Sequence, residues 1–385
     1  MGRHLVLVGG GHAHIPVLLH LDGYVRRGHR VTLISPAERH FYSGMGPGML
    51  GGFYGPEQVR LPVAALARKG GGRFQRGRVI LVEPDRHRLL LDSGETVSYD
   101  VVSFNTGSCV PMSGLARQRC ESVFAVKPIS NLLRARDFIR EQPGGGGRRL
   151  HIVVVGGGPA GVEIAGNAWQ LVTETGREPA IALVAARPVL PDMPGRCRQC
   201  ALDSLERRGI RVQENARARR VENGRVRLED GVCLRADVTF VATGVEPSTL
   251  YRDSGLPIGP RGGLLVNDDL QCVAQPEVFG GGDCIEMEGR SLARVGVHAV
   301  REGEVLSRNM LAALEGRALD GFTPRTPYLL ILNMGDGTGI ARKGGFVHYG
   351  PLAFKLKDYI DRRFVRSAQV TEHSGSGILL TGEEP

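Results

Sequence analysis

Apolar residues along the chain gather in short β-branched runs that end in glycine clusters, and the arrangement occurs twice. LVLV (5–8) enters Gly9-Gly10-Gly11, a helix-compatible stretch follows to about residue 28, and VTLIS (31–35) comes next. IVVV (152–155) enters Gly156-Gly157-Gly158, a second helix-compatible stretch follows, and IALVA (181–185) closes the pattern. Each copy predicts a strand, a tight turn, a helix and a second strand. RVILVEP (78–84), RLLLDSG (88–94) and RVRLEDG (225–231) alternate apolar with polar positions and predict strands of small meanders turning on glycine. QPGGGGRR (142–149) is expected to be a flexible loop between the copies.

The tails of the copies agree as well, since Gly94, Asp100, Thr106 and Gly107 share the mutual spacing of Gly231, Asp237, Thr243 and Gly244. An internal duplication of this length predicts an α/β chain built from two Rossmann-like units. At 385 residues the chain is long enough for at least two cores. Its 55 glycines, about twice the usual share of roughly 7%, follow no Gly-X-Y period and so belong in turns and close-approach loops.

In such a unit the first glycine makes the turn, the second lets backbone approach a pyrophosphate, and the third lets helix pack on strand. The helix N-terminus then offers unpaired N–H groups to the phosphates. Gly156, Gly158 and Gly161 satisfy all three positions. The first copy has Gly9 and Gly11 but places His14 third, a larger side chain where close packing is expected. His12 and His14 are candidates either for flavin contact or for packing on the first helical turn. No further ligand accompanies them, and no metal site is expected.

An acid at the end of the second strand normally receives the adenosine ribose, but Ser35 and Ala185 stand there. A serine can still bond a ribose. Ala185 removes repulsion against a 2′-phosphate and Arg187 supplies a cation, which favours NADPH over NADH.

No run approaches the length of a spanning helix and no signal peptide is read. Seven cysteines, an odd number, fit a reducing cytoplasm better than a disulfide framework. Cys197 and Cys200 are a candidate redox pair, although two ordinary residues at i, i+3 on one helix are the preferred account. The formal charge of +9 implies attraction to anions. The arginines lack aromatic interleaving, and nucleic acid is not an expected partner.

The chain resembles the two-dinucleotide-binding-domain flavoproteins that include type II NADH dehydrogenases and sulfide:quinone oxidoreductases. GGGPAGVEIAGN (156–167), FVATGVEP (240–247), VFGGGDC (278–284) and VHAVREGEVLSRN (297–309) carry the resemblance in order. LVLVGGGHAHI (5–15), FYSGMGPGMLGG (41–52) and VKPI (126–129) are similar to the NADH-dehydrogenase-like domain fused to selenophosphate synthetase in some proteins.

The resemblance implies a fold of two Rossmann-like domains of three-layer ββα type. The FAD-binding domain spans 1–120 and 255–322, the NAD(P)-binding domain spans 121–254 between them, and 323–385 forms a small C-terminal region facing an interface or a membrane. It places FAD at Gly9, Gly11, His12, Ala13, His14, Ser35, Thr106, Gly107, Gly282, Asp283, Val297 and His298. NAD(P)H falls to Gly156, Gly158, Gly161, Arg187, Thr243 and Gly244. Asp283 is expected to hold the flavin ribitol, and a helix starting at 297–299 is expected to point at the flavin pyrimidine edge. Glu163, in the GVE of the second fingerprint, is the candidate proton partner, with helix capping or packing as its plain alternative.

The activity implied is hydride transfer from NAD(P)H through flavin to a small-molecule acceptor, a quinone first. A sulfide:quinone-type enzyme and a non-catalytic flavin-binding regulator are the alternatives, and the first would need cysteines at the flavin. In PLAFKLKDYIDRRFVRS (351–367), Leu352, Leu356, Tyr359, Ile360 and Phe364 recur at helical spacing opposite Lys355, Lys357, Arg362 and Arg363. That stripe is expected either to be buried, against this chain or a homodimer mate, or to rest peripherally on the cytoplasmic membrane face.

Overall fold

The computed structural model describes residues 2–112, 115, 121–142, 149–222 and 224–369. Most of the loop expected at 142–149 and the tail beyond 369 lie outside the described residues.

The β-branched runs form two parallel five-stranded sheets, as near-continuous apolar strands buried on both faces should. In the first sheet the order is Val278–Gly280, Val101–Phe104, His4–Val8, Arg30–Ser35 and Arg73–Arg76. Leu5 pairs with Val31 on one side and Val101 on the other. In the second the order is Val123–Ala125, Val238–Val241, Arg149–Val155, Glu178–Val184 and Arg211–Gln213. Four of the five positions match, and one edge strand differs in origin. The first sheet takes it from far downstream, whereas the second takes it from just upstream.

The shared spacing of the tails has a structural cause. Asp100 accepts the N–H of His4 and returns its own N–H to the His4 carbonyl, and Asp237 does the same with His151. Each aspartate thereby sets the register of one parallel strand against the next. Gly94 and Gly231 turn the hairpins of two three-stranded meanders, at φ +85° and +90°. In the second unit Val221, Val226 and Leu228 of the meander cover Val153, Val155 and Val184, while Ile152, Val154, Ile181 and Leu183 face the main core. Period-two alternation thus fills both faces of that sheet.

The first helical stretch is broken into Ile15–Leu19 and Asp22–Val25, with the poor helix former Gly23 inside the second piece. Its counterpart Pro159–Glu174 is continuous, with proline at its first position. Helix Gly296–Glu315 returns to the first turn so closely that a side chain at Gly303 would strike the Ala13 carbonyl. The C-terminal region is an antiparallel sheet of Leu330–Asn333, Gly339–Lys343 and Phe346–Gly350, followed by helix Pro351–Gln369. Among the described residues no helix is long and apolar enough to cross a membrane.

Candidate functional site

Both glycine turns are dictated by close approach. At Gly9 (φ +92°) a side chain would run into the Asn105 carbonyl, and at Gly156 (φ +128°) into the Ala242 carbonyl. Only glycine meets both the positive φ and the lack of space. Gly158, Gly107 and Gly244 differ, because a side chain there would enter open space. Such ground in front of a helix N-terminus and between strand ends fits the phosphates of a dinucleotide.

His14 resolves the departure seen in the first fingerprint. It is fully buried, its Nδ1 lies 2.6 Å from the Gly9 carbonyl oxygen, and its Nε2 lies 2.9 Å from Ser103 Oγ. Burial pushes its pKa down to about 4 against the bond to Gly9, so the ring is neutral. The imidazole braces the turn. His12 is partly buried and accepts the Ser43 N–H at 3.4 Å, with its ring near those of His40, Tyr42 and Phe364. Burial, then the neighbouring His40, lowers its pKa to about 3.

Asn105 was not singled out in the sequence, yet it ties three segments. Its Oδ1 accepts the Ala13 N–H and its Nδ2 donates to the Gly281 carbonyl. A signal existed: the duplication has Ala242 at the matching place.

Asp283 lies in the turn Gly282–Cys284. Its Oδ2 accepts from Ser108 Oγ at 2.7 Å and from Lys127 Nζ, leaving Oδ1 for a ligand hydroxyl. Burial works to raise this carboxyl, but the Lys127 ammonium and the two hydrogen bonds outweigh it and hold the pKa below the usual range. Lys127, inside VKPI, is therefore a missed member of this cluster. Gly282 adopts φ +77° against Asn105 and donates its N–H to Glu302 Oε2 at 2.6 Å. Glu302 is buried, and burial raises it to about 7 although the Gly282 bond opposes this. Helix Gly296–Glu315 starts one residue before the expected position, with no side-chain cap, so Val297 and His298 sit in its first turn.

In the second unit Gly161 packs against the Gly156 carbonyl and allows no side chain. Ala185 is buried beneath Gly157, and Arg187 beyond it is exposed. Glu214, which holds the Val189 N–H at 2.6 Å, is already paired with Arg198. Thr243 and Thr106 are both exposed beyond the ends of their strands, Thr106 also bonding Tyr251 OH at 2.8 Å, and Ser35 is buried. Cys197 is buried on helix Gly195–Glu206 and Cys200 is partly buried one turn on. Burial raises the Cys197 thiol, the opposite of a reactive thiolate.

Glu163 leaves Pro159–Glu174 toward the C-terminal region, where its Oε1 accepts the Asn333 N–H at 2.8 Å. It keeps a partial opening to solvent, yet the protein packed around it raises its pKa to about 7 by desolvation, against the pull of Lys357 and Asn333. Lys357 and Asp361 correct the expected helix orientation. Both are buried, Lys357 Nζ bonds Asp361 Oδ2 at 2.6 Å and the Gly44 carbonyl at 2.7 Å, and Tyr42 donates to Asp361 at 3.1 Å. The inward face of the helix admits these two charges among Ala353, Val365 and Ala368 because each charge has a partner. Leu352, Leu356, Tyr359 and Ile360 consequently point outward at 68, 43, 62 and 40% exposure.

Comparison with known proteins agrees with this architecture. The family model described as pyridine nucleotide-disulphide oxidoreductase matches residues 3–303. "Ferroptosis suppressor protein 1" of Taeniopygia guttata is 27% identical over 290 residues, covering 72% of this chain and 73% of that protein. The mitochondrial internal alternative NAD(P)H-ubiquinone oxidoreductase A1 of Arabidopsis thaliana is 24% identical over 339 residues, covering 79% of this chain and 66% of that protein. Among solved structures, NDH2 from Plasmodium falciparum in complex with NADH superposes with a TM-score of 0.78 at 14% identity, covering 97% of this chain and 99% of that one. The chain belongs to the pyridine nucleotide-disulphide oxidoreductase family, whose members bind FAD and NAD(P)H, and it is an NAD(P)H-dependent flavin oxidoreductase.

Proposed function

We propose that the chain passes electrons from NADPH through FAD to a quinone. The observation that carries this reading is the C-terminal helix, which presents apolar side chains outward and Lys357 and Asp361 inward beside Glu163. The outward face suits a lipid-soluble acceptor, and Glu163, on the inward side but partly open to solvent, is a carboxyl able to hold a proton near neutral pH. The kinship with an NAD(P)H-ubiquinone oxidoreductase supports the same acceptor class.

Bound flavin supplies the two-electron chemistry between nicotinamide and acceptor. The chain's own residues do the rest. The turns at Gly9–Gly11 and Gly156–Gly158 would receive the two pyrophosphates, Asp283 Oδ1 would take a ribitol hydroxyl, and Lys127 keeps Asp283 ionised. His12, a neutral ring, would line the flavin site, Arg187 would receive the 2′-phosphate, and Glu163 would hold the proton for the acceptor.

Anaerobic mixing of the purified yellow protein with NADPH or NADH, followed by a water-soluble quinone, tests the scheme. NADPH should bleach the flavin at least as efficiently as NADH, and quinone should restore the colour. A flavin bleached by sulfide and by neither nucleotide would overturn it.

A further inference from the structure

Two carboxyls and one ammonium meet under helix Pro351–Gln369. Lys357 and Asp361 are buried on its inward face, and Glu163 lies within their electrostatic reach from helix Pro159–Glu174. If both carboxyls were ionised, the cluster would carry one negative charge in excess. Two carboxylates that share a site poor in water ionise together only at high cost, so one proton stays behind. The donors around each carboxyl decide which one keeps it.

Asp361 has a donor for each oxygen. Lys357 Nζ bonds Oδ2 at 2.6 Å, and Tyr42 OH bonds Oδ1 at 3.1 Å. Burial, then Asp361, lifts the Tyr42 hydroxyl well above its usual pKa, so it remains a donor. Lys357 is also anchored to the Gly44 carbonyl at 2.7 Å, two residues along from Tyr42. Burial works to discharge the ammonium, but Asp361 and then Glu163 hold its pKa above the usual value. Asp358, which also acts on Lys357, is paired with Arg362. Glu163 is served less well. Its Oε1 accepts the Asn333 N–H at 2.8 Å, and strand Leu330–Asn333 brings it no charge.

We infer that Asp361 is a positioning residue: it holds Lys357 against Gly44 and Tyr42, and so leaves the proton of the cluster to Glu163, where an acceptor can draw on it. The inference rests on the quinone reading for what the proton does, and on the geometry alone for where it sits. With residue 361 uncharged, the excess of negative charge is gone. Lys357 and Glu163 then form a one-to-one ion pair, which favours the ionised carboxylate over a retained proton.

The test uses the flavin-loaded full chain and two readouts that fail separately. One is the pH dependence of NADPH-driven turnover with a water-soluble quinone. The other is the carboxylic C=O band that Glu163→Gln removes from the infrared spectrum, followed over the same pH range without acceptor. In Asp361→Asn both should shift to lower pH, with Glu163 holding its proton roughly tenfold less tightly, about one pH unit. Asp361→Glu, which keeps the charge, should return most of the lost affinity. Tyr42→Phe, which takes one donor from Asp361, should shift both the same way by roughly threefold, and it carries the test should Asp361→Asn not fold. A band that shifts while turnover does not leaves the inference standing and removes Glu163 from quinone reduction. A band unmoved in the flavin-loaded variants overturns the inference, as does a wild type from which Glu163→Gln removes no such band.

Discussion

At the turn that opens each unit, the first copy sets His14 against Ser103, and the second has Gly161 and Phe240 at the matching positions. Large and small have changed places. The first arrangement adds bonds the second lacks, because His14 is bonded to the Gly9 carbonyl and Asn105 ties Ala13 to Gly281. A strand from far downstream, Val278–Gly280, then closes the first sheet and delivers Asp283 beside Lys127. In the second unit Gly158 faces open ground, whereas a side chain at its counterpart Gly11 would strike Asn105. One architecture therefore yields a cross-braced site suited to a resident cofactor and an open one suited to a ligand that comes and goes.

The bracing is most directly broken at Asp283. Asp283→Ala removes a charge-assisted ligand bond and leaves the Lys127 ammonium with Ser108 but without its carboxylate, at a cost of about 2–3 kcal/mol. The protein should emerge from gel filtration with most of its flavin lost, read from the visible spectrum, while NADPH binding at the second site persists. Retention of full flavin content would show that the closing strand holds the cofactor without this residue.

Glu163 sharpens the contrast between donor and acceptor sides. Glu163→Gln should cost on the order of 10²-fold in quinone turnover and leave flavin reduction by NADPH unchanged in stopped flow. The wild-type turnover should fall as pH rises through about 7, where the carboxyl loses its proton. Stability follows the same sign. A carboxyl raised from 4.5 to about 7 contributes fully below its ordinary value, and the contribution is lost as pH rises through the folded value. Glu163→Gln should therefore flatten the fall in melting temperature between about pH 4.5 and 7.

The exchange of large and small side chains predicts a coupled pair. Ser103→Phe overfills the first core and His14→Gly opens a cavity and unpairs Ser103, each at about 2–3 kcal/mol. The double variant should recover more than half of the summed loss in urea unfolding. Simple additivity would mean that these positions do not share space.

Much of this was legible because the duplication repeats its own constraints. Asp100 and Asp237 could be matched by spacing, and the structure supplies the cause, a reciprocal bond pair across parallel strands. Asp283 and the glycine turns are local motifs, so sequence carries them. Lys127, Asn105 and Glu302 act across long separations, and no periodicity announces such partners. The C-terminal helix misled for a related reason. Its polar face reads as solvated until Gly44, Tyr42 and Glu163 arrive from elsewhere to receive Lys357 and Asp361.

At the open site, Ala185→Glu should turn the nucleotide preference toward NADH by about tenfold, roughly 1.4 kcal/mol, through repulsion of the 2′-phosphate and a new acceptor for the ribose. The ratio of kcat/KM values for NADPH and NADH reports this. An unchanged ratio would place the ribose away from this strand end.

The smallest expected effect concerns the exposed helix face, where Leu352, Leu356, Tyr359 and Ile360 stand with Phe346 at 67% exposure. Two free aspartates on this helix would repel an anionic surface, but Asp361 is buried against Lys357 and Asp358 bonds Arg362 at 2.7 Å. Lys355, Arg363 and Arg366 remain exposed beside the apolar residues. At about 1 kcal/mol per cation near an anionic membrane, three of them supply weak binding that salt removes. The flavin-loaded protein should co-sediment with anionic vesicles at low salt, release at high salt, and bind little after Leu352→Glu with Tyr359→Glu. The same face could instead meet a second copy of the chain, and gel filtration separates the two. A dimer that dissociates in the double variant, with no vesicle binding by the wild type at low salt, would assign the face to self-association.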